Sequence, residues 1–136
     1  MTLWRAEQLL VGALYEHSGL DPIIDENMPF DAESHHGPWY RVTMLPARPQ
    51  SREIGDGAPM RQRGILQVDV FYPKGEYKGG AKSDAQKIID AYPAGSVIEG
   101  DGDRVRVRES WYASGREESR WYHVPVSIAW LAEVQA

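Results

Sequence analysis

The sequence predicts an α+β fold: a mainly antiparallel sheet of about five to six strands with two helices packed on it. Three observations lead there. Apolar residues recur at helical steps in only two stretches, one at the N-terminus and one around residues 81–92. Elsewhere, runs rich in aromatic and β-branched residues alternate with a period of two, as strands do. Most consecutive strands are joined by hairpin-length or loop connections, which favours antiparallel neighbours.

In the first helix Leu3, Ala6, Leu10, Ala13, Leu14 and His17 recur at steps of three and four, with Leu9 and Val11 widening the stripe. Thr2 is placed to cap its start, Gly19 stops it, and Pro22 forces the chain out of helical geometry. A short extended piece, Ile23-Ile24-Asp25, leads into a polar, proline-bearing stretch over 27–38. Residues 39–45 read as a strand ended by Pro46 and Pro49.

Residues 46–63 read as one long irregular loop, holding Pro49, Gly55, Gly57 and Pro59. Arg48, Arg52, Arg61 and Arg63 stand in it against Glu53 and Asp56. An uncovered loop of about fifteen residues is uncommon in a compact domain and typically serves function. The clearest strand follows over 64–72, where Leu66, Val68, Val70 and Tyr72 alternate with Gln67, Asp69 and Phe71.

The second helix is expected from about Ala81 to Tyr92, stopped by Pro93 and Gly95. Three strands should complete the sheet, over 96–99, 104–112 and 120–131. Gly100-Asp101-Gly102 joins the first two as a hairpin turn. The last presents Tyr122, Val124, Val126, Ile128 and Trp130 on one face. Pro125 lacks a donor, which predicts an edge position or a bulge there. With no internal repeat and no linker, residues 1–136 are expected to form a single domain.

Composition narrows the function. With 42% apolar and 26% charged residues, the chain has the makeup of a folded globular protein. It has no cysteine, so disulfides, thiol nucleophiles and thiolate metal sites are excluded; a reducing cytoplasm suits it. Met1 to Glu7 lack the basic and apolar regions of a signal peptide, and no apolar run nears the ~20 residues that span a bilayer, so no membrane partner is expected. A net charge of −5 disfavours tight binding to nucleic-acid phosphates, though the chain could stand beside DNA without gripping it.

No stretch carries a convincing catalytic or cofactor signature. Gly75 to Ser83 follows a strand and opens a helix, as a phosphate-binding loop does, but Ala81 intervenes between Gly80 and Lys82 and spoils the spacing. A nucleotide-binding module built there is kept only as an alternative. Glu99 to Asp103 starts like a calcium loop, yet Val105 and Tyr112 fall where ligands are needed, so a turn is expected. His35 and His36 are adjacent and point apart on an extended chain. His123 has no nucleophile motif to serve and reads as a half-buried neighbour of the sheet. Neither metal nor cofactor is expected. Arg104, Arg106 and Arg108 alternate with Val105 and Val107, so three guanidinium groups should project from one face, as a solvated surface or a charged contact. Trp111, Trp121 and Tyr122 are expected near that stripe as core or interface anchors.

Several segments together resemble the phage tail terminator-like family, small prophage proteins of long-tailed phages. They are the N-terminal helix, Asn27-Met28-Pro29-Phe30 and Trp39 to Ala47, then Arg63 to Pro73 and the helix near Ala81, and finally Trp121 to Ile128. Arg63-Gly64, Gln67-Val68 and Phe71-Tyr72-Pro73 form the most specific part.

The resemblance implies a structural subunit of a hexameric ring on the head-proximal end of the tail tube. The ring would stop tube growth and offer the head-joining surface, while DNA passes through without tight binding. Implied partners are copies of itself, the tail tube protein and a head-completion protein. The implied location is the host cytoplasm during assembly and then the virion tail. The family supplies no active-site residues. Interface candidates are therefore Arg48, Arg52, Glu53, Asp56, Arg61 and Arg63 in the loop, with Arg104, Arg106 and Arg108 in the stripe. A head–tail connector or other minor virion protein is the alternative within the same particle.

Overall fold

The computed structural model describes residues 1–51 and 60–134. In chain order the elements are α1 (Leu3–His17), β1 (Ile23–Ile24), β2 (Trp39–Pro46), β3 (Gln50–Ser51) and β4 (Met60–Pro73). Then come α2 (Lys78–Ala91), β5 (Val97–Gly100), β6 (Asp103–Tyr112), β7 (Arg116–Glu118) and β8 (Trp121–Val134). The two expected helices and six expected strands are present, with β3 and β7 as short additions.

The strands form one sheet in the order β1-β2-β4-β8-β6-β5, with β3 on β4 and β7 on β8. The sheet is mixed: β1 runs parallel to β2, Ile23 beside Tyr40 and Ile24 beside Arg41, and the other pairs are antiparallel. The connection over 25–38 makes this possible, because a parallel neighbour needs a long return path. β4 and β8 pair along their full length, from Met60 opposite Val134 to Pro73 opposite Trp121. They are the spine of the fold.

One face of that spine makes the core. Val42, Leu66, Val68, Val70, Val124, Val126, Ile128 and Trp130 are wholly buried on it. Ala6, Leu10 and Leu14 of α1 and Ala81, Ala85 and Ile88 of α2 join the same core. The Tyr92 hydroxyl donates to the Leu10 carbonyl at 2.5 Å, tying the end of α2 to α1. Asp101 and Gly102, both with positive φ, make the two-residue turn between β5 and β6.

α1 begins as its sequence dictates. The Thr2 hydroxyl accepts from the Arg5 amide at 3.1 Å, satisfying a donor that has no partner in the first turn. Thr2→Ala is expected to cost about 1 kcal/mol in a urea unfolding curve, with Thr2→Ser nearly neutral.

Two expectations are corrected. β4 starts at Met60, and β3 pairs with it, so Arg61 and Arg63 lie in a strand and outside any loop. Pro125 stands in a central strand, paired with Asp69 of β4 on one side. On its other side β8 changes partner, from β6 opposite Val126 to β7 opposite His123. The missing donor falls at that gap, where the Pro125 carbonyl still accepts from the Ala113 amide at 3.1 Å. The register shift in this ladder lies elsewhere, between Val107 and Glu109 of β6.

Candidate functional site

Because successive strand residues point to opposite faces, the residues between the core positions share the face turned away from the helices. Strand register aligns them in rows: Trp39, Phe71 and His123; Arg41, Asp69 and Pro125; Thr43, Gln67, Ser127 and Trp111. Below these come Leu45, Ile65, Ala129 and Glu109, then Arg63, Leu131 and Arg106. The upper and lower rows differ sharply in cover.

The upper rows are closed by aromatic stacking. Trp39 lies flat on Phe71, with centroids 4.1 Å apart, and Phe71 lies flat on His123 at 4.7 Å. Trp121 meets Trp39 edge-on at 5.8 Å, and Phe30, from the stretch before β2, leans on Trp39 at 4.7 Å. The Arg120 guanidinium sits 5.5 Å above Trp121 and donates to the Glu33 carbonyl, pinning that stretch to the sheet. Trp39 and Trp121 are buried as a result.

His123 is buried too, more deeply than its sequence position suggests. Its Nε2 stands 2.6 Å from Asp69 Oδ1, and Gln67 Nε2 donates to the same oxygen at 2.9 Å. The other ring nitrogen, Nδ1, is 3.5 Å from the Glu118 carboxylate, too far for a well-formed hydrogen bond. The imidazole is held by Asp69 and only approached by Glu118. Its part is to satisfy Asp69 beneath the stack.

From the Thr43 row downward the face is open. Leu45 is 47% exposed and Trp111 is 42% exposed. Arg63 and Arg106 flank them on the outer row, and Arg41 lies above. The expected arginine stripe is only partly formed: the bulge makes Arg108 the extra residue, and Glu109 takes the place opposite Ala129. Arg104 and Arg106 line an open cleft of about 480 Å³ together with Arg61, Asp103, Leu131 and Glu133. The structure therefore unites Arg61 with the stripe, which sequence spacing could not indicate. Arg48 is exposed in the connection after β2. Arg52, Glu53 and Asp56 lie outside the described residues. Of the aromatics expected near the stripe, Trp111 is there, whereas Trp121 belongs to the stack at the far end of β8.

The stretch Gly75 to Ser83 takes a different form from the one expected. α2 begins at Lys78, so Gly79 and Gly80 lie in its first turn. A Cβ on Gly80 would come within 2.7 Å of the Tyr72 ring, and one on Gly79 within 2.7 Å of the Tyr77 ring. The packed Tyr72 ring accounts for Gly80, whereas the Tyr77 ring is exposed and free to turn away from a side chain at position 79. Among the described residues no three potential metal ligands cluster, and no helix is long and apolar enough to cross a membrane.

Sequence reasoning missed one buried polar group. Asp84 of α2 accepts hydrogen bonds from the hydroxyls of Tyr40 and Tyr72, the latter at 2.6 Å, with Lys87 Nζ 3.4 Å from its other oxygen. Burial first, then Asp84, pushes the Tyr72 hydroxyl up to about 12 and the Tyr40 hydroxyl higher still. The signal was available: residue 84 falls on the apolar stripe of α2, between Ala81 and Ala85, where a carboxylate needs donors.

A sheet with one face sunk in the core and half of the other open, with exposed Leu45 and Trp111 edged by arginine, has the makeup of a structural subunit with a face suited to protein contact. The comparisons agree with that class. A family model described as phage tail terminator protein matches residues 6–130, and the chain belongs to that family. It is a structural protein of phage tails. A solved structure whose title names no function shares 25% identity, covering 96% of this chain and 93% of that one, with a TM-score of 0.69. A chain from the virion of a native gene transfer agent particle is 16% identical, with a TM-score of 0.44, over 97% of this chain and 88% of that one. No curated protein matches.

Proposed function

We propose that this protein is the subunit of a ring that caps the head-proximal end of the tail tube and presents the surface to which the head attaches. The observation that carries this reading is the family match over residues 6–130. The open lower half of the sheet supports it, because a ring subunit must offer its neighbour a dry, specific surface. On this reading the partners are copies of itself, the tube protein and a head-completion protein, and the chain catalyses nothing. Its net charge of −5, repeated around a ring, would keep passing DNA from adhering to the bore. Assembly would take place in the host cytoplasm, before the ring is carried in the virion tail.

Tails assembled without the protein provide the test. Electron microscopy is expected to find tubes that overrun their normal length and carry no heads. Headless tubes of normal length would instead indicate a joining factor, and normal virions would remove the reading altogether.

A further inference from the structure

We propose that the open lower half of the sheet in one copy receives the outer stripe of α1 from a second copy, so that neighbours join head to tail. This rests on the ring reading above and names the two surfaces that would build it.

The receiving surface is apolar at its centre and cationic at its edges. Leu45 and Trp111 are exposed there, with Ile65 partly buried and Ala129 buried between them, and Leu131, partly buried, in the next row between Arg63 and Arg106. Arg63 and Arg106 border this strip below and Arg41 above. Nearby carboxylates are largely engaged within the copy: Glu99 with Arg104 at 3.0 Å, and Asp101 and Asp103 with Arg5 at 3.4 and 3.3 Å. Glu109 lies in the Leu45 row, and Glu133 stands opposite Arg61 in register.

The matching surface is anionic and aromatic. Trp4 is 63% exposed and Tyr15 54% exposed on α1, and a period of 3.6 sets Glu7 on the same side. Asp25 and Glu26 adjoin it. Partial burial, followed by the charges of Glu26 and Asp25, raises the Glu7 carboxyl above its ordinary range. A cation supplied by a second copy would relieve that crowding.

Size and placement agree. Trp4 and Tyr15 lie roughly 16 Å apart along the helix. The rows from Arg63 to Asp69 extend roughly 20 Å along β4. α1 packs on the core face of the sheet, so the two surfaces lie on opposite sides of the molecule. Pairing like with like would set arginine against arginine. Pairing opposites leaves each copy one free surface of either kind, which is how a ring propagates and closes.

The test is charge reversal in the full chain, read by sedimentation velocity at low salt. The wild type is expected to self-associate, and less so at high salt. Glu7→Lys with Glu26→Lys, or Arg63→Glu with Arg106→Glu, should each weaken association by at least about a hundredfold, because like charges then face each other. An equimolar mixture of the two doubles should regain it, since each carries the surface that the other lacks. Should a double fail to fold by near-ultraviolet circular dichroism, Glu7→Gln with Glu26→Gln and Arg63→Gln with Arg106→Gln replace it, each losing about tenfold. A monomeric wild type, undiminished association in a reversed variant, or a mixture that stays apart would each overturn the assignment. Tube lengths without the protein judge the ring reading separately.

Discussion

Trp130→Ala is expected to lower the unfolding free energy by about 3–5 kcal/mol, the range for removing a large buried aromatic. Trp130 is the largest wholly buried side chain among the described residues, set in the core on β8 between β4 and β6. Opposite it in register is Gly64, and the close fit of this pair explains both residues. A Cβ on Gly64 would meet Trp130 Cζ2 at 2.7 Å and the Leu45 carbonyl oxygen at 2.9 Å. Gly64→Ala should therefore destabilise as well, by about 1–3 kcal/mol from overpacking.

Pairing Gly64→Ala with Trp130→Phe relieves the ring clash and leaves the backbone clash, so rescue should be partial. Trp130→Phe alone should cost less than the alanine change, since it keeps most of the ring and removes an indole N–H that has no partner among the described residues. Urea unfolding at constant slope measures all four. A Trp130→Ala variant within 1 kcal/mol of wild type would mean that β4 and β8 do not pack as described.

Much of this fold was legible because local patterns decide it. Thr2 and Gly19 bracket α1, and the alternation from Leu66 to Tyr72 fixes which face of β4 is buried. What stayed hidden depends on register, which pairs residues far apart in the chain. Asp69 and His123 could be placed on one face by parity, yet only the β4–β8 alignment puts them two residues apart in neighbouring strands. The same alignment sends Trp121 to the aromatic stack and brings Arg61 beside Arg104 and Arg106. The bulge at Arg108 could not be read from a run that alternates without a break up to Val107. Gly79 and Gly80 suggested a helix that starts only near Ala81, because glycine is a poor helix former, and the reason for Gly80 is contact with the ring of Tyr72. Of the candidate interface, the arginines and Trp111 were legible and the rest of the apolar ground was not, since Leu45 looks like core until the face it occupies is known.

Asp84→Ala should be the second severe change, costing about 2–4 kcal/mol, because it strips the acceptor from two tyrosine hydroxyls at once. Tyr40 suffers more, being almost wholly buried, while Tyr72 retains some access to water. Asp84→Asn keeps one acceptor oxygen and should cost less. Combining Asp84→Ala with Tyr40→Phe should cost less than the sum of the two changes, since the second removes the donor that the first left stranded. The network also sets an alkaline limit. Both hydroxyls ionise at higher pH in the folded chain than the ordinary value of 10.0, by burial first and by Asp84 next. A raised folded value means that the stabilisation is complete below pH 10 and is lost as pH climbs through about 12. Wild type should therefore lose stability across that window faster than Asp84→Ala does, and the gap between them should narrow. A gap that stays constant from pH 9 to pH 12 would mean that the carboxylate does not hold these hydroxyls, and the link between α2 and the sheet would need another explanation.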